Sequence, residues 1–137
     1  MIKCFIDTSA FYALEDAGDR NHQEAGLIQK SFAEERPVFY TTNHVFDECI
    51  TLIGSRLGPA NAVRFAEVML ASRLLRIIRT DELLERAGLV LYDKYRDGRI
   101  SFTDCLSFAA MRALDIKIAF AFDRHFEQVG FELVRSK

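Results

Sequence analysis

Short apolar runs alternate along the chain with longer segments in which apolar residues recur every three or four positions. The short runs predict buried strands, and the longer segments have the period of amphipathic helices. Strands separated by helices indicate a parallel sheet, because parallel neighbours need a crossover connection. We therefore predict a single α/β domain over residues 1–137, with a central parallel five-stranded sheet flanked by helices on both faces. The five predicted strands are residues 2–6, 38–41, 74–78, 117–122 and 131–134.

The predicted helices have recognisable ends. Thr8 and Ser9 are expected to cap the first helix, and Asn43 the third. Gly58-Pro59 is expected to end the third helix and begin the fourth. Apolar residues of the fourth helix form a stripe that is either core or a surface for a partner: Val63, Ala66 and Leu70. The helices are expected at residues 10–14, 19–35, 44–56, 60–72, 81–95 and 103–114.

Composition places the chain among compact globular proteins, with 50% hydrophobic and 28% charged residues. No apolar run approaches the roughly 20 residues that span a bilayer, so we expect a cytoplasmic protein without a membrane segment. Cys4, Cys49 and Cys105 lack C-x-x-C spacing and are expected to be buried reduced thiols. The histidines are scattered, which disfavours a zinc site.

Acidic residues interrupt four largely apolar segments. Asp7 and Asp123 each follow a predicted strand, Glu48 lies at the apolar side or boundary of the third helix, and Asp104 begins another helix. A carboxylate is costly to bury alone, and clustered carboxylates raise one another's pKa. A divalent cation held by all four would offset this cost. Oxygen ligands alone suit Mg²⁺ or Mn²⁺.

Each acid also has an ordinary structural interpretation. Asp7 and Asp123 occupy positions typical of helix N-caps, and Glu48 is compatible with an amphipathic boundary. Asp104 follows Ser101 at the spacing of a capping box. The structural and functional interpretations are compatible for Asp104, because a side chain in the first turn of a helix also points toward the strand ends.

The net charge of −2 at first argues against a nucleic-acid binder. If the four acids form one metal site, the rest of the chain carries −2 + 4 = +2. Basic residues would then be free to line a groove beside the site, or they form an ordinary solvated face. These residues are Arg73, Arg76, Arg79, Lys94, Arg96, Arg99 and Arg124.

Four sequence pieces, in this order and spacing, resemble the PIN-domain nucleases, especially the small VapC-type toxins of toxin–antitoxin pairs. The resemblance covers essentially the whole chain. By position, the acids carried over are Asp7, Glu48, Asp104 and Asp123. The four pieces are Phe5-Ile6-Asp7-Thr8-Ser9-Ala10, Val45-Phe46-Asp47-Glu48, Ser101-Phe102-Thr103-Asp104 and Phe122-Asp123-Arg124-His125-Phe126.

The resemblance implies Mg²⁺- or Mn²⁺-dependent cleavage of single-stranded RNA, a homodimer and a cognate antitoxin partner. In the implied mechanism Asp7, Glu48 and Asp104 hold one ion, and Asp123 completes the site or supports a second ion. A metal-activated water attacks in line and leaves a 5′-phosphate and a 3′-hydroxyl. The chain departs from the family in having Ala121 where a hydroxyl residue is common, which is expected to weaken the site or change its preferred ion.

Two other functions compete with the nuclease. A phosphatase of the haloacid-dehalogenase type also uses an Asp at a strand end, but it needs a second Asp where this chain has Ser9. A catalytically inactive or RNA-processing PIN-like module would keep the fold and act by binding. Binding of Mn²⁺ with a gain in thermal stability would separate the nuclease from the inactive module.

Overall fold

The computed structural model describes residues 1–136, which form five strands and seven helices. No helix within this range combines the length and the apolar character that a membrane crossing requires. The strands are β1 (Lys3–Ile6), β2 (Val38–Thr42), β3 (Leu75–Ile78), β4 (Ile118–Phe120) and β5 (Glu132–Leu133). The helices are α1 (Thr8–Glu15), α2 (His22–Glu35), α3 (Asn43–Leu57), α4 (Pro59–Ala71), α5 (Glu82–Lys94), α6 (Phe102–Ala113) and α7 (His125–Gln128).

The strands form one parallel sheet with the order β3-β2-β1-β4-β5, as the alternation of strands and helices predicts. The predicted fold class is confirmed. β3 is an edge strand, which agrees with the exposed Arg76 at its centre. The short helix α7 was not predicted from the sequence, because its four residues are too few for a helical period.

Aromatic side chains pack helices onto both faces of the sheet. On one face, Phe32 of α2 makes edge-on contacts with Phe39 and Phe120, at ring-centroid distances of 4.9 and 5.5 Å. On the other face, Phe126 of α7 lies 6.3 Å from Phe5 and 5.0 Å from Phe108 of α6. Neighbouring positions in β1 alternate between the faces, so a single strand contributes to both halves of the core. These contacts fix α6 and α7 next to the central strands.

The caps predicted at Thr8 or Ser9 and at Asn43 are wrong, whereas the alternative interpretation of Asp7 as a helix N-cap is confirmed. α1 is capped by Asp7, whose side chain accepts a hydrogen bond from the backbone N–H of Ser9. α3 is capped by Thr42, which accepts from the backbone N–H of Val45 at 3.1 Å. Asn43 instead accepts hydrogen bonds from the backbone and hydroxyl of Thr80. A capping residue must itself be extended, and that condition is met at the last position of the preceding strand or turn.

The start of α2 also differs from its prediction. The helix begins at His22, three residues later than expected, because the backbone around Asp19 forms turns in which Asp16 and Asp19 accept backbone hydrogen bonds. Gly58 separates α3 from α4 as predicted, and its φ of 96° is in the left-handed region that favours glycine. The short connection keeps α3 and α4 packed against each other.

Helix α4 uses a different apolar stripe from the one that the sequence analysis singled out. Its buried residues are Ala62, Phe65 and Met69, whereas Val63 and Leu70 are more than half exposed. The sequence left open whether that stripe was core or a partner surface, and the structure places Val63 and Leu70 on the outside. By contrast, Phe11 and Tyr12 of α1 lie in the core. The three cysteines are buried free thiols, as predicted.

Thr42 is predicted to be needed for the stability of α3. Replacing Thr42 by the isosteric Val leaves the N–H of Val45 without an acceptor and should lower the free energy of unfolding by about 1–2 kcal/mol. Urea unfolding of Thr42→Val and of the control Thr42→Ser, which keeps the hydroxyl, measures the effect. A larger loss in Thr42→Ser, which lacks only the methyl group, than in Thr42→Val, which lacks only the hydroxyl, would show that the methyl group stabilises this position more than the cap does.

Candidate metal centre

Strand order brings two of the predicted acids to the same place. β1 and β4 are neighbours in the sheet, and Asp7 and Asp123 follow their carboxyl ends. The backbone N–H of Asp7 donates to the carbonyl of Phe120 at 3.0 Å, which extends the β1–β4 pairing up to the acid. The chain order reverses between these strands, and such a switch point is where open parallel sheets bind their ligands.

Asp7 is held in place by Ser9. The Ser9 hydroxyl donates to Asp7 Oδ2 at 2.7 Å and accepts from the backbone N–H of Phe122 at 2.9 Å. Ser9 therefore links the end of β1 to the segment that follows β4. Burial raises the pKa of Asp7 to about 6, the hydrogen bonds from the hydroxyl and the backbone N–H of Ser9 oppose this rise, and the charges of Asp123 and Glu48 raise the pKa further.

Asp104 approaches the same edge from the start of α6. The Ser101 hydroxyl caps this helix by accepting from the backbone N–H of Asp104 at 3.0 Å, which confirms the part of the predicted capping box in which Ser101 is the cap. Burial raises the pKa of Asp104 to about 7, and the charges of Asp7, Asp123 and Glu48 act in the same direction. Asp104 is thus both part of a capped helix start and a member of an acidic group.

Asp123 is half-buried and accepts from the backbone N–H of His125 through Oδ1 at 2.9 Å. The side chain of His125 also faces the acids: its Nδ1 atom lies 3.1 Å from Asp123 Oδ1 and 3.6 Å from Asp104 Oδ2. One ligand atom from each of these three residues lies within 4.8 Å of the others. The tight group is therefore Asp104, Asp123 and His125.

Glu48 lies at the boundary of the apolar face of α3, which is one of the two positions predicted for it. The buried stripe of α3 is Val45, Cys49 and Ile53, and Glu48 lies beside this stripe with an exposed side chain. The sequence placed Glu48 on the apolar side or its boundary, and the boundary position is the observed one. Its charge still raises the pKa of Asp7 and Asp104, which puts it within electrostatic reach of the acidic group.

The four predicted acids thus face one edge of the sheet but do not form a single tight cluster. Asp104 and Asp123 belong to the group whose ligand atoms lie within 4.8 Å of one another, whereas Asp7 and Glu48 lie outside that group and act on it through their charges, which raise the pKa of Asp104. His125 and Ser9 were not singled out as site residues by the sequence analysis. The adjacency of His125 to Asp123 was visible in the sequence, but its approach to Asp104 depends on how α6 and α7 pack.

A groove of about 550 Å³ runs beside Glu48 between α3 and the start of α6. Its lining combines hydroxyl, apolar and acidic groups. None of the predicted basic residues is among the lining residues, and Arg124 instead lines a separate cavity of about 420 Å³. Elsewhere, Arg76 lies over the ring of Tyr40 and Arg96 pairs with Asp93. The groove is lined by Thr8, His44, Asp47, Glu48, Thr51, Leu52, Ser55 and Thr103.

The donor set fits a divalent cation. Carboxylate oxygens converge from separate elements, and their raised pKa values indicate that their negative charges are insufficiently compensated by the protein. In addition, His125 Nδ1 is fully buried and has no hydrogen-bond partner among residues 1–136. Oxygen-rich sites of this kind suit Mg²⁺ and Mn²⁺, and both ions would lower the repulsion.

The raised pKa values predict how the metal-free protein responds to pH. Asp104 retains its proton in the folded state up to about pH 7 but loses it near pH 4 when unfolded, so its contribution to stability is lost as pH rises through 7. Asp104→Asn should therefore stabilise the protein in EDTA by about 1–3 kcal/mol at pH 8, and have little effect at pH 4.5. Denaturant unfolding at the two pH values measures the difference.

The exposed Asp97→Asn is a matched control that removes one negative charge from a surface turn. Its effect on stability should be small and nearly independent of pH, because an exposed charge is screened by solvent. If Asp104→Asn and Asp97→Asn change stability alike at pH 8, the crowding of charges around Asp104 is not the cause.

Known proteins with the same fold and similar sequence identify the family. Residues 4–132 match the PIN domain. The 23S rRNA-specific endonuclease VapC20 of Mycobacterium tuberculosis is 37% identical over 131 residues, which cover 96% of this chain and 97% of VapC20. The VapC ribonuclease of Archaeoglobus fulgidus is 31% identical over 116 residues, covering 82% of this chain and 72% of that protein.

Solved structures agree with the sequence relatives. The crystal structure of M. tuberculosis VapC20, described as a Sarcin-Ricin loop cleaving toxin, matches with a TM-score of 0.87 and 36% identity over 96% of this chain and 98% of its own. The DNA-bound VapBC of Salmonella typhimurium matches with a TM-score of 0.72 at 11% identity, over 98% of each chain, which shows the shared fold alone. By sequence and by structure, this chain belongs to the PIN-domain family.

Proposed function

We propose that residues 1–137 form a single nuclease domain, a Mg²⁺- or Mn²⁺-dependent endoribonuclease that cleaves single-stranded RNA. The observation that carries the proposal is the convergence of Asp7, Asp104 and Asp123 at the carboxyl edge of the sheet, where two of them have strongly raised pKa values. The relatives named as a 23S rRNA-specific endonuclease and a VapC ribonuclease support ribonuclease chemistry. The family match also disfavours the phosphatase alternative.

Asp7, Glu48, Asp104 and Asp123 are the residues proposed to hold the cation. When bound, Mg²⁺ or Mn²⁺ would supply a Lewis acid for phosphate oxygens and would lower the pKa of a water. One carboxylate oxygen of Asp104 and one of Asp123 lie within 4.8 Å of each other, and the exposed side chain of Glu48 would reach them by reorienting. Ser9 fixes the orientation of Asp7 by its two hydrogen bonds.

The groove beside Glu48 is proposed to receive the RNA strand. Its lining residues carry no Lys or Arg, so they would contact the strand through hydroxyl groups and an apolar surface. Thr51, Ser55 and Thr103 can bond to riboses or base edges, and Leu52 offers an apolar contact. An unpaired strand fits this arrangement better than a duplex, because its bases are accessible.

We also propose a homodimer and a protein partner of the antitoxin class. The exposed apolar side chains Val63, Leu70 and Leu83 support protein contacts, since each is more than half exposed on α4 or α5. The Salmonella typhimurium structure is of DNA-bound VapBC, and its matched chain shares this fold. A role in RNA processing without an antitoxin is the alternative within the same activity.

RNA cleavage is the direct test. Purified protein should cleave labelled single-stranded RNA with Mn²⁺ or Mg²⁺ and should lose this activity in EDTA. Asp7→Asn and Asp104→Asn should each lower the cleavage rate on the order of 100-fold or more, because each removes a ligand charge. Asp7→Asn retains a side-chain oxygen that can accept from the N–H of Ser9, so the cap of α1 is preserved.

Glu67→Gln on the exposed face of α4 is a matched control and should leave cleavage unchanged. Cleavage that persists in EDTA, or that survives Asp104→Asn, would contradict the proposed site. A folded protein that neither cleaves RNA nor binds Mn²⁺ in calorimetry would favour the inactive binding module instead. Unfolding of Asp7→Asn would assign Asp7 a purely structural role.

A further inference from the structure

His125 is the nitrogen-bearing side chain of the acidic group. Its Nδ1 lies 3.1 Å from Asp123 Oδ1 and 3.6 Å from Asp104 Oδ2, and the side chain is 25% exposed. Asp104 comes from α6, more than twenty positions earlier in the chain, so the approach to it is a property of the folded protein. The imidazole is therefore oriented toward the acids by tertiary structure.

The Nδ1 atom is buried but makes no hydrogen bond among the described residues. It lies within ion-pair distance of both carboxylates, and the charge of His125 lowers the pKa of Asp104, but this atom forms no hydrogen bond with either acid. Asp123 Oδ1 already accepts the backbone N–H of His125 at 2.9 Å. Leaving a buried polar atom without a partner costs free energy, so native proteins usually provide one. A ligand that lies between the imidazole and the two carboxylates would be such a partner.

The spacing of the three side chains suits a shared cation. Neighbouring ligand atoms of an octahedral Mg²⁺ ion, each about 2.1 Å from the metal, lie about 3 Å apart. The distances from Nδ1 to the two carboxylate oxygens, 3.1 and 3.6 Å, are close to this value. Phe126, the next residue, is fully buried against Phe5 and Phe108, which holds the start of α7 in position.

We propose that His125 Nδ1 is a ligand of the cation bound by Asp104 and Asp123, and that this nitrogen makes the site prefer Mn²⁺ over Mg²⁺. Imidazole is a good ligand for transition metals, whereas Mg²⁺ favours oxygen ligands and retains its waters. The inference rests on the proposed metal-dependent function but concerns one residue beyond the four acids. It assigns the unpartnered nitrogen a defined chemical role.

Pulsed electron paramagnetic resonance on the unmodified protein tests the inference without any substitution. Protein loaded with one equivalent of Mn²⁺ should show electron spin-echo modulation from a directly bound ¹⁴N nucleus. Growth with ¹⁵N-histidine should replace this signal by that of ¹⁵N. Bound Mn²⁺ without any histidine nitrogen coupling would overturn the inference.

Substitution tests the predicted selectivity by an independent route. His125→Gln should weaken Mn²⁺ binding about tenfold, and Mg²⁺ binding by much less, so that the ratio of the two affinities falls. His22→Gln is the matched control, because the Nδ1 atom of His22 instead lies 2.7 Å from the carbonyl oxygen of Ala13. Isothermal titration with each ion measures both affinities, and an unchanged ratio in His125→Gln would overturn the inference.

The outcomes separate the inference from the proposed function. Mn²⁺ held by oxygen atoms alone, together with metal-dependent RNA cleavage, would reject His125 as a ligand and leave the nuclease proposal intact. Absence of Mn²⁺ binding to the folded wild-type protein would reject both. If His125→Gln fails to fold, the spin-echo measurement on the wild-type protein still decides the role of His125.

Discussion

Repulsion among carboxylates that the fold brings together is the constraint on which the site depends. Asp7 and Asp104 are buried, and each has its pKa raised first by burial and then by neighbouring acids. No Lys or Arg forms an ion pair with either acid in the described part of the chain. The folded protein therefore concentrates negative charge at one edge of its sheet, and a bound divalent cation would reduce the repulsion among these carboxylates.

Local structure makes this concentration of charge tolerable. Asp7 is the N-cap of α1, and Asp104 lies in the first turn of α6. Free N–H groups and the helix dipole both favour negative charge at these positions. Asp7 thus combines an observed capping role with a proposed ligand role, and Asp104 follows the cap Ser101 by three residues, because the start of a helix after a parallel strand points toward the ligand-binding edge. Ser9 and Ser101 complete the two helix starts by hydrogen bonds to Asp7 and to the backbone of Asp104.

The sequence predicted the parallel five-stranded sheet and the position of Asp7 and Asp123 after strands, because short apolar runs and their polar ends are local features. It did not predict the side of α4 that is buried. That helix has apolar residues on two faces, and both sets recur with a helical period. The pattern alone therefore does not decide whether Val63 and Leu70 or Phe65 and Met69 are buried. For α1 the sequence offered Asp7, Thr8 and Ser9 as caps without deciding among them, and for α3 it favoured Asn43 over the adjacent Thr42, because several neighbouring residues were capable of capping.

Two features of the site depend on tertiary structure and could not be predicted locally. His125 meets Asp104 only because Phe126 packs between β1 and α6. The order β3-β2-β1-β4-β5, which makes Asp7 and Asp123 neighbours, is fixed by strand pairing between residues far apart in the chain. Glu48 has an exposed side chain, and its proposed role as a ligand requires that side chain to turn toward the other acids.

Anomalous diffraction from Mn²⁺-soaked crystals would show whether the acidic group binds a cation. We expect the strongest anomalous peak within about 2.5 Å of carboxylate oxygens of Asp104 and Asp123. A well-ordered structure without a peak there, or with Mn²⁺ only at surface carboxylates remote from the edge of β1 and β4, would contradict the claim that this acidic group is a metal centre.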